Sequence, residues 1–297
     1  MMNILTELFK DLSTFRRYAP GVETNMDLKE LQPSGLTARK RIETAISPEV
    51  FQAITKEPEE SPLLEGLRSA MANMTMASQL VFDSINRRKN DINVYKYELE
   101  AMKRSYMDNY CNALDTIVQL LMNTKVPDDD TTSPAALWVK SRYFQMLQKC
   151  EIKTMPDFDM LYPIDASYLF FFRTVPLQKE TLDEVMAVYF SKLTDDKSPR
   201  VRPMLLLTLV KKIVAKALRR FDILEFPATI RNLFDESHAT RSGKDEFNAA
   251  LALADRLDGE AAELLSNADT LLTTEQTADI SSYSAYNHPD DKIIMLP

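Results

Sequence analysis

The sequence has little glycine, cysteine or histidine, and each shortage argues against a class of protein. Glycine occurs five times, with none between Gly66 and Gly243. Tight β-hairpin turns and phosphate-binding loops depend on glycine, because its backbone adopts conformations that other residues avoid. Neither the G-x-G-x-x-G pattern nor the G-x-x-x-x-G-K-[ST] pattern occurs. The composition therefore argues against a β-sheet protein and against a glycine-rich nucleotide site.

The cysteines and histidines do not form a recognisable catalytic or metal-binding pattern. Cys111 and Cys150 are too few for a disulfide scaffold and lack the spacing of a zinc site, so a reducing compartment is the simpler expectation. His238 lies in a polar loop sequence and His288 in the C-terminal tail, where each is expected to be solvated. No serine- or cysteine-based triad has a convincing base. We therefore predict that the chain is not an enzyme, has no catalytic or metal-binding residues and needs no cofactor.

Long apolar runs are also missing. The N-terminal segment carries Glu7, Lys10 and Asp11 where a secretory signal peptide would be continuously apolar. No later run approaches the roughly 18 apolar residues that span a bilayer. The expectation is a protein that is not exported by that route and does not cross a membrane.

Acidic residues are concentrated in the C-terminal part. Residues 245–297 contain eleven acidic residues against Arg256 and Lys292, a net charge of −9, whereas residues 1–244 carry a net charge of +1. An acidic surface repels nucleic acid phosphates. The basic patches at 87–89 and 211–220 lack interleaved aromatic residues and are more typical of ordinary helix surfaces. Specific nucleic-acid binding is therefore not predicted.

The segment 198–221 combines a helix start signal with a consistent apolar period. Ser198 is placed to cap a helix, and Pro199 suits the first helical position, where no backbone donor is needed. One face is apolar and consists of Leu206, Leu209, Val210, Ile213, Val214, Ala217 and Leu218. The other face is basic and consists of Lys211, Lys212, Lys216, Arg219 and Arg220. Together with similar periods elsewhere, this pattern predicts an all-α multi-helix bundle.

A weak internal repeat suggests two helical modules. The Ser-Pro helix start at Ser61 recurs at Ser198, and the same offset of 137 residues relates Tyr110 to Phe247. Few residues are identical, so duplication and chance both remain open. The expected segments are an N-terminal helix and arm (1–36), a first module (37–126), a linker (127–134), a second module (135–272) and an extended tail (273–297).

Three local patterns allow two interpretations each. Met71, Met74 and Met76 suit an adaptable binding groove or a core, and the core is favoured. The aspartates of 128–130 suit cation binding or a solvated loop, and the loop is favoured. The aromatic run 170–172 fits either a short strand or a helix buried on all sides.

Two stretches resemble phage proteins. The closing segment from Asn287 to Ile294, NHPDDKII, is similar to an uncharacterised family of about this length from phages and prophages of Bacteroidetes, encoded among virion structural genes. The stretch 218–232, LRRFDILEFPATIRN, resembles the helix-bend-helix of helical head-tail connector proteins. Those connectors are shorter than this chain, so the resemblance leaves an extra module unexplained.

The resemblance implies a structural subunit of the virion neck, assembled in the host cytoplasm. It would form a homo-oligomeric ring between portal and tail, or contact other neck proteins, with DNA passing through the ring. The apolar end of the tail either folds back as an edge strand, adds as a strand to a neighbouring subunit, or is a frayed terminus. The residues expected to contact neighbours are Ile4, Leu8, Phe9, Tyr283, Tyr286, Lys292, Ile293, Ile294, Met295 and Leu296.

The alternative is a cellular helical adaptor. It would bind a partner through the methionine-rich face around Met71 or through the basic face of 211–220. The two hypotheses differ in oligomeric state, since a connector assembles into rings whereas an adaptor is a monomer with a soluble partner.

Overall fold

A computed structural model describes residues 4–22, 26–89, 96–195, 198–231 and 243–281. These residues are mainly α-helical and contain no β-strand, which confirms the predicted all-α fold. The helices in chain order are α1 (Ile4–Leu8), α2 (Leu12–Tyr18), α3 (Gln32–Ile46), α4 (Pro48–Ile54), α5 (Pro62–Lys89), α6 (Lys96–Asn123), α7 (Pro134–Val139), α8 (Arg142–Leu147), α9 (Met155–Leu161), α10 (Tyr168–Thr181), α11 (Ala187–Ser191), α12 (Ser198–Arg220), α13 (Ala228–Arg231) and α14 (Gly243–Ser281). A π-helical turn (Leu182–Met186) lies between α10 and α11, and a 3-10 turn (Ile223–Glu225) lies between α12 and α13.

Short polar side chains start many of the helices. Each accepts a hydrogen bond from the backbone N–H three residues further on, which satisfies an amide that has no partner inside the helix. The capping residues are Asp11, Ser47, Ser133, Ser141, Thr154 and Ser167. Helix starts are thus encoded locally in the sequence.

The first half of the chain is built around the antiparallel helices α5 and α6. Their contact is close, and the Nδ2 of Asn109 donates to the Oδ1 of Asn73 across it at 3.3 Å. Helices α2, α3 and α4 pack against α5, and α1 packs against α3. Met71, Met74 and Met76 of α5 are 0, 4 and 3% exposed. The methionines therefore belong to the core, as the favoured interpretation predicted.

The second half is built around a second antiparallel pair, α12 and α14, with α10 packed against α12. Phe170, Phe171 and Phe172 lie in α10 and are all nearly inaccessible to solvent. Three consecutive buried side chains point in different directions from a helix, so α10 is enclosed on all sides. This decides between the two predicted structures of the aromatic run in favour of the buried helix.

The N-terminal segment differs from the predicted arm. Residues 4–18 form two short helices, and α3 already begins at Gln32, inside the segment expected to be extended. Leu8 and Phe9 are 3 and 1% exposed, and Phe9 packs edge-on against Phe15 with ring centroids 5.0 Å apart. The described part of this segment is folded onto its own chain, because its apolar side chains complete the core of the first half.

Other boundaries also differ. The second module, expected to begin at 135, opens with two short helices, α7 and α8, separated by the capping residue Ser141. Helix α14 continues through Gly259 and ends at Ser281, so it includes the first nine residues of the segment predicted as an extended tail. Tyr283, Tyr286 and the run from Lys292 to Leu296 lie outside the described residues.

None of the helices in the described part of the chain combines the length and the apolarity needed to cross a bilayer.

Two helical glycines provide a matched stability test. A Cβ at Gly66 would lie 2.9 Å from Cγ1 of Ile117, inside the α5–α6 contact, whereas a Cβ at Gly259 would have no atom within 4 Å. We expect Gly66→Ala to lower the free energy of unfolding by about 1–3 kcal/mol through overpacking. Gly259→Ala should raise it by about 0.5–1 kcal/mol, because alanine favours helix. Urea unfolding measures both, and effects of equal sign would contradict the close α5–α6 contact.

Candidate functional site

The two halves meet at a polar cleft between the middle of α6 and the second half. Its walls are α6, the turn before α10 and the segment from Leu224 to Arg231. A cavity of about 360 Å³ opens there, and a smaller one of about 130 Å³ adjoins it beside α3. Both are lined by Cys111, Leu169 and Glu225, so we treat them together as the junction cleft. The larger volume lies at the low end of the range for small-molecule sites.

Asp115 of α6 joins the two halves across this cleft. Its carboxylate accepts hydrogen bonds from the Oγ of Ser167 and from the backbone N–H of Leu169, both at 2.8 Å. Burial raises the pKa of Asp115, and these hydrogen bonds oppose that rise. The carboxylate thus holds the first turn of α10 against α6.

The turn before α10 has an unusual backbone conformation. Asp165 and Ala166 have φ angles of 56° and 53°, which residues with side chains rarely adopt. The carboxylate of Asp159 accepts from the backbone N–H of Ile164 at 2.7 Å and of Ala166 at 3.2 Å. Asp165 accepts from the backbone N–H of Thr229 at 2.8 Å. Several hydrogen bonds therefore hold a strained turn in place beside the cleft.

Two arginines complete the joint. Arg231 donates to the carboxylate of Asp108 on α6 at 2.6 Å, and only 12% of its side chain is exposed. Arg173 donates to Glu225 at 2.8 Å, and its guanidinium lies 5.2 Å from the ring centre of Phe221. Arg231 therefore connects the halves directly, whereas Arg173 fixes the wall of the cleft within the second half.

Cys111 lies between the two cavities. Burial raises the pKa of its thiol to about 12, and the nearby carboxylate of Asp108 acts in the same direction. A thiol with so high a pKa stays protonated at neutral pH and is a poor nucleophile. The groups facing the cleft thus form a network of hydrogen bonds and ion pairs that holds the two halves together.

The basic face of α12 is occupied by acidic residues of the same chain. Lys211 contacts Glu260, and Arg219 bonds to Asp255 at 2.8 Å and to Asp258 at 2.7 Å on α14. On the other side, Lys216 and Arg220 converge on Glu180 of α10. Three acidic residues of the C-terminal part, together with Glu180, therefore pair with this face, which was one of the two surfaces proposed for an adaptor.

The Glu180 cluster predicts a dependence of stability on pH. Arg220 and then Lys216 lower the pKa of Glu180 to about 2 from an ordinary value of 4.5. Since the pKa is lower in the folded state, this stabilisation is complete above about pH 4.5 and is lost as pH falls towards about 2. It should amount to about 1 kcal/mol, because solvent screens a side chain that is 31% exposed.

The test compares unfolding of the wild type and Glu180→Gln at about pH 6 and about pH 3. The difference between them should shrink at the lower pH, since Glu180 is then protonated in the unfolded chain and part of the stabilisation from its ion pairs is lost. Glu263→Gln, a change at an exposed glutamate of α14, is the control and should alter unfolding by less than about 0.5 kcal/mol at both values. A difference for Glu180→Gln that is independent of pH would contradict this prediction.

The other predicted functional residues are distributed as follows. Ile4 is partly buried, and Leu8 and Phe9 are inside the core, where they pack within their own chain. In the loop 128–130, Asp130 accepts from the backbone N–H groups of Thr132 and Ser133, both at 3.0 Å. No group of metal-ligating side chains is found among the described residues.

The residues of the junction cleft were not singled out from the sequence. Asp115, Arg231 and Cys111 belong to different elements, and nothing in their spacing connects them. One signal was present: the bend at Pro227, within the stretch compared with connector proteins, forms one wall of the cleft. The contact between that wall and α6 depends on the tertiary fold.

Comparison of the chain with protein-family models, with curated proteins and with solved structures gives no match.

Proposed function

We propose that this protein is a structural subunit of a phage particle, a connector of the neck that forms a ring between portal and tail. The sequence resemblance at 287–294 and at 218–232 suggests this position in the particle. The physical features that support it are a helical body with internally paired charges and a C-terminal helix that continues to Ser281, nine residues beyond Leu272.

The observation that carries the proposal is the course of α14. It pairs with Arg219 of α12 at Asp255 and continues for 26 residues to Ser281, about 39 Å at 1.5 Å per residue. Its last described buried side chain is Leu272. The helix therefore ends far from the place where the two halves meet, and the tail begins at that end. A tail that starts there and has an apolar C-terminal end suits contact with another copy, as in heterologous ring interfaces.

The alternative adaptor loses support from the same contacts. Its methionine-rich face is buried in the first half, and four of the basic residues of its other face are engaged by acidic partners. Neither face is available in the form that the adaptor hypothesis required.

Light scattering and negative-stain imaging of the full chain test the proposal. We expect closed rings from the wild type, and monomers from the double substitution Ile293→Asp with Met295→Asp, because charge at the tail end opposes apolar docking. Val188→Ser, a change at an equally apolar side chain that is 60% exposed, should leave the rings intact.

A separate measurement tests the position of the protein within the particle. Antibody labelling of particles purified from the strain that encodes the chain should mark the junction of head and tail. A wild-type chain that stays monomeric and is missing from such particles would overturn the proposal.

A further inference from the structure

The smaller cavity of the junction cleft lies between α3, α6, α10 and the 3-10 turn. Its volume is about 130 Å³, and the apolar residues in its wall include Ala45, Met107, Leu114 and Leu169. An apolar cavity of about 150 Å³ is able to hold a benzene molecule. The smaller cavity therefore has room for the apolar part of a ligand that is about the size of one aromatic ring.

Regular helix faces build this cavity. Met107, Tyr110 and Leu114 follow one another at steps of three and four residues on α6. Arg41 and Ala45 are four residues apart on α3, and the two lining residues of α10 have the same spacing. Residues three or four apart share a helix face. Since α3 and α6 belong to the first half and α10 to the second, a ligand in this cavity contacts both halves.

Tyr110 places an unused hydroxyl at the cavity. The residue is only 7% exposed, and its hydroxyl has no hydrogen-bond partner among the described residues. Burial raises the pKa of Tyr110, so the phenol is neutral and able to donate. The charges that act on it include those of Arg41, Glu225 and Arg173. Buried hydroxyls normally have a partner, so this one is available to a ligand atom that accepts a hydrogen bond.

Arg41 adds a positive charge that is not neutralised. Its exposed side chain lines the cavity, and it has no ion-pair partner in the part of the chain that the structure describes. Arg173, the second arginine, donates one hydrogen bond to Glu225, at 2.8 Å. A guanidinium has five N–H donors, so the two arginines keep donors in excess, and with the one glutamate they leave a net positive charge. A ligand with one negative charge and acceptor oxygens matches this excess.

The adjoining larger cavity limits the charge of such a ligand. It is lined by four carboxylates and one arginine, which are Asp108, Asp115, Asp165, Glu225 and Arg231. Negative charge in excess repels a further negative group placed there. The larger cavity therefore disfavours a polyphosphate or a nucleotide, and a ligand with a single negative charge, held in the smaller cavity, is favoured.

We propose that the smaller cavity binds a small carboxylic acid whose apolar body is about the size of one ring. The apolar body lies against Met107, Leu114 and Leu169. The carboxylate accepts hydrogen bonds from Arg41 and from the hydroxyl of Tyr110. Charge-assisted bonds between a guanidinium and a carboxylate are among the stronger hydrogen bonds in proteins. The site does not depend on the proposed ring, and its ligand adds a further link between the two halves.

Fluorine NMR titration of the full chain with 4-fluorobenzoate tests this site. The matched comparison is 4-fluorobenzamide, a neutral molecule of nearly the same shape. We expect a Kd of about 1 mM or below for 4-fluorobenzoate, as is usual for so small a ligand. The amide should bind about tenfold more weakly or worse, because its hydrogen bonds to arginine lack the negative charge. In protein labelled at the methionine methyl groups, the resonance of Met107 should shift, since the aromatic ring lies beside it.

Two substitutions that keep the size of the side chain identify the binding groups. Arg41→Met and Tyr110→Phe should each weaken the binding of 4-fluorobenzoate by about tenfold, the factor for a hydrogen bond to a charged group. Tyr110→Phe should leave urea unfolding of the free protein unchanged, because no hydrogen bond within the described chain is lost. Lys40→Met is the matched control: it removes a positive charge from the exposed neighbour of Arg41 that does not line the cavity, and the Kd should stay the same.

Three results would overturn the inference. The first is equal affinity for the acid and the amide, and the second is unchanged binding in both Arg41→Met and Tyr110→Phe. The third is a wild type that does not bind 4-fluorobenzoate at about 10 mM, well above the expected Kd. A Met107 shift that is present in the wild type and in Lys40→Met, and is reduced in Arg41→Met at the same ligand concentration, supports it.

Discussion

Trp138→Ala should lower the free energy of unfolding by about 3–5 kcal/mol, the range for removing a large aromatic side chain from a core. Trp138 is fully buried in α7 and touches both halves. Its ring lies 4.8 Å from that of Phe172 in α10, and its Nε1 donates to the Sδ of Met122 in α6 at 3.5 Å. Truncation would leave a cavity where the two halves are joined.

Urea unfolding followed by far-UV circular dichroism measures this loss, since the variant has no tryptophan left for fluorescence. Met160→Ala is the control: Met160 is 86% exposed on α9, and its truncation should change stability by less than about 0.5 kcal/mol. A loss below about 1 kcal/mol for Trp138→Ala would show that the joint between the halves is loosely packed.

Gln178→Leu should cost about 2–5 kcal/mol despite the similar size of the two side chains. Gln178 is completely buried in α10, and its amide forms two hydrogen bonds with the backbone of Ile152. Its Oε1 accepts from the N–H at 2.8 Å, and its Nε2 donates to the carbonyl oxygen at 3.1 Å. Leucine would leave both backbone groups buried without partners, at about 1–3 kcal/mol each.

Gln145→Leu provides the matched comparison, because the amide of Gln145 donates to the carbonyl of Val139 at 2.8 Å but lies at the surface, where water can replace it. Its cost should stay below about 1 kcal/mol. Hydrogen exchange of the Ile152 amide adds a local readout and should accelerate in Gln178→Leu alone. Equal costs for both substitutions would contradict the role assigned to Gln178.

The all-α fold was predictable because its signals are local. Caps such as Ser133 and Ser167 and apolar steps of three and four residues act within one or two turns of helix. The long α12 was predicted almost to the residue for this reason. The start of the extended tail, predicted at 273, differs because α14 continues to Ser281. Gly259 does not interrupt α14, because packing against α12 stabilises the helix on both sides of it.

The sequence by itself determined the helices, the apolar faces and the acidic C-terminal part, since each follows from residues close together in the chain. Only the tertiary structure decided that Leu8 and Phe9 are core, that Glu180, Asp255 and Asp258 neutralise the basic face of α12, and that Asp115, Cys111 and Arg231 meet in one cleft. The reason is physical. Burial and charge pairing depend on which faces meet, and a helix of given sequence can present its face to any partner of matching polarity.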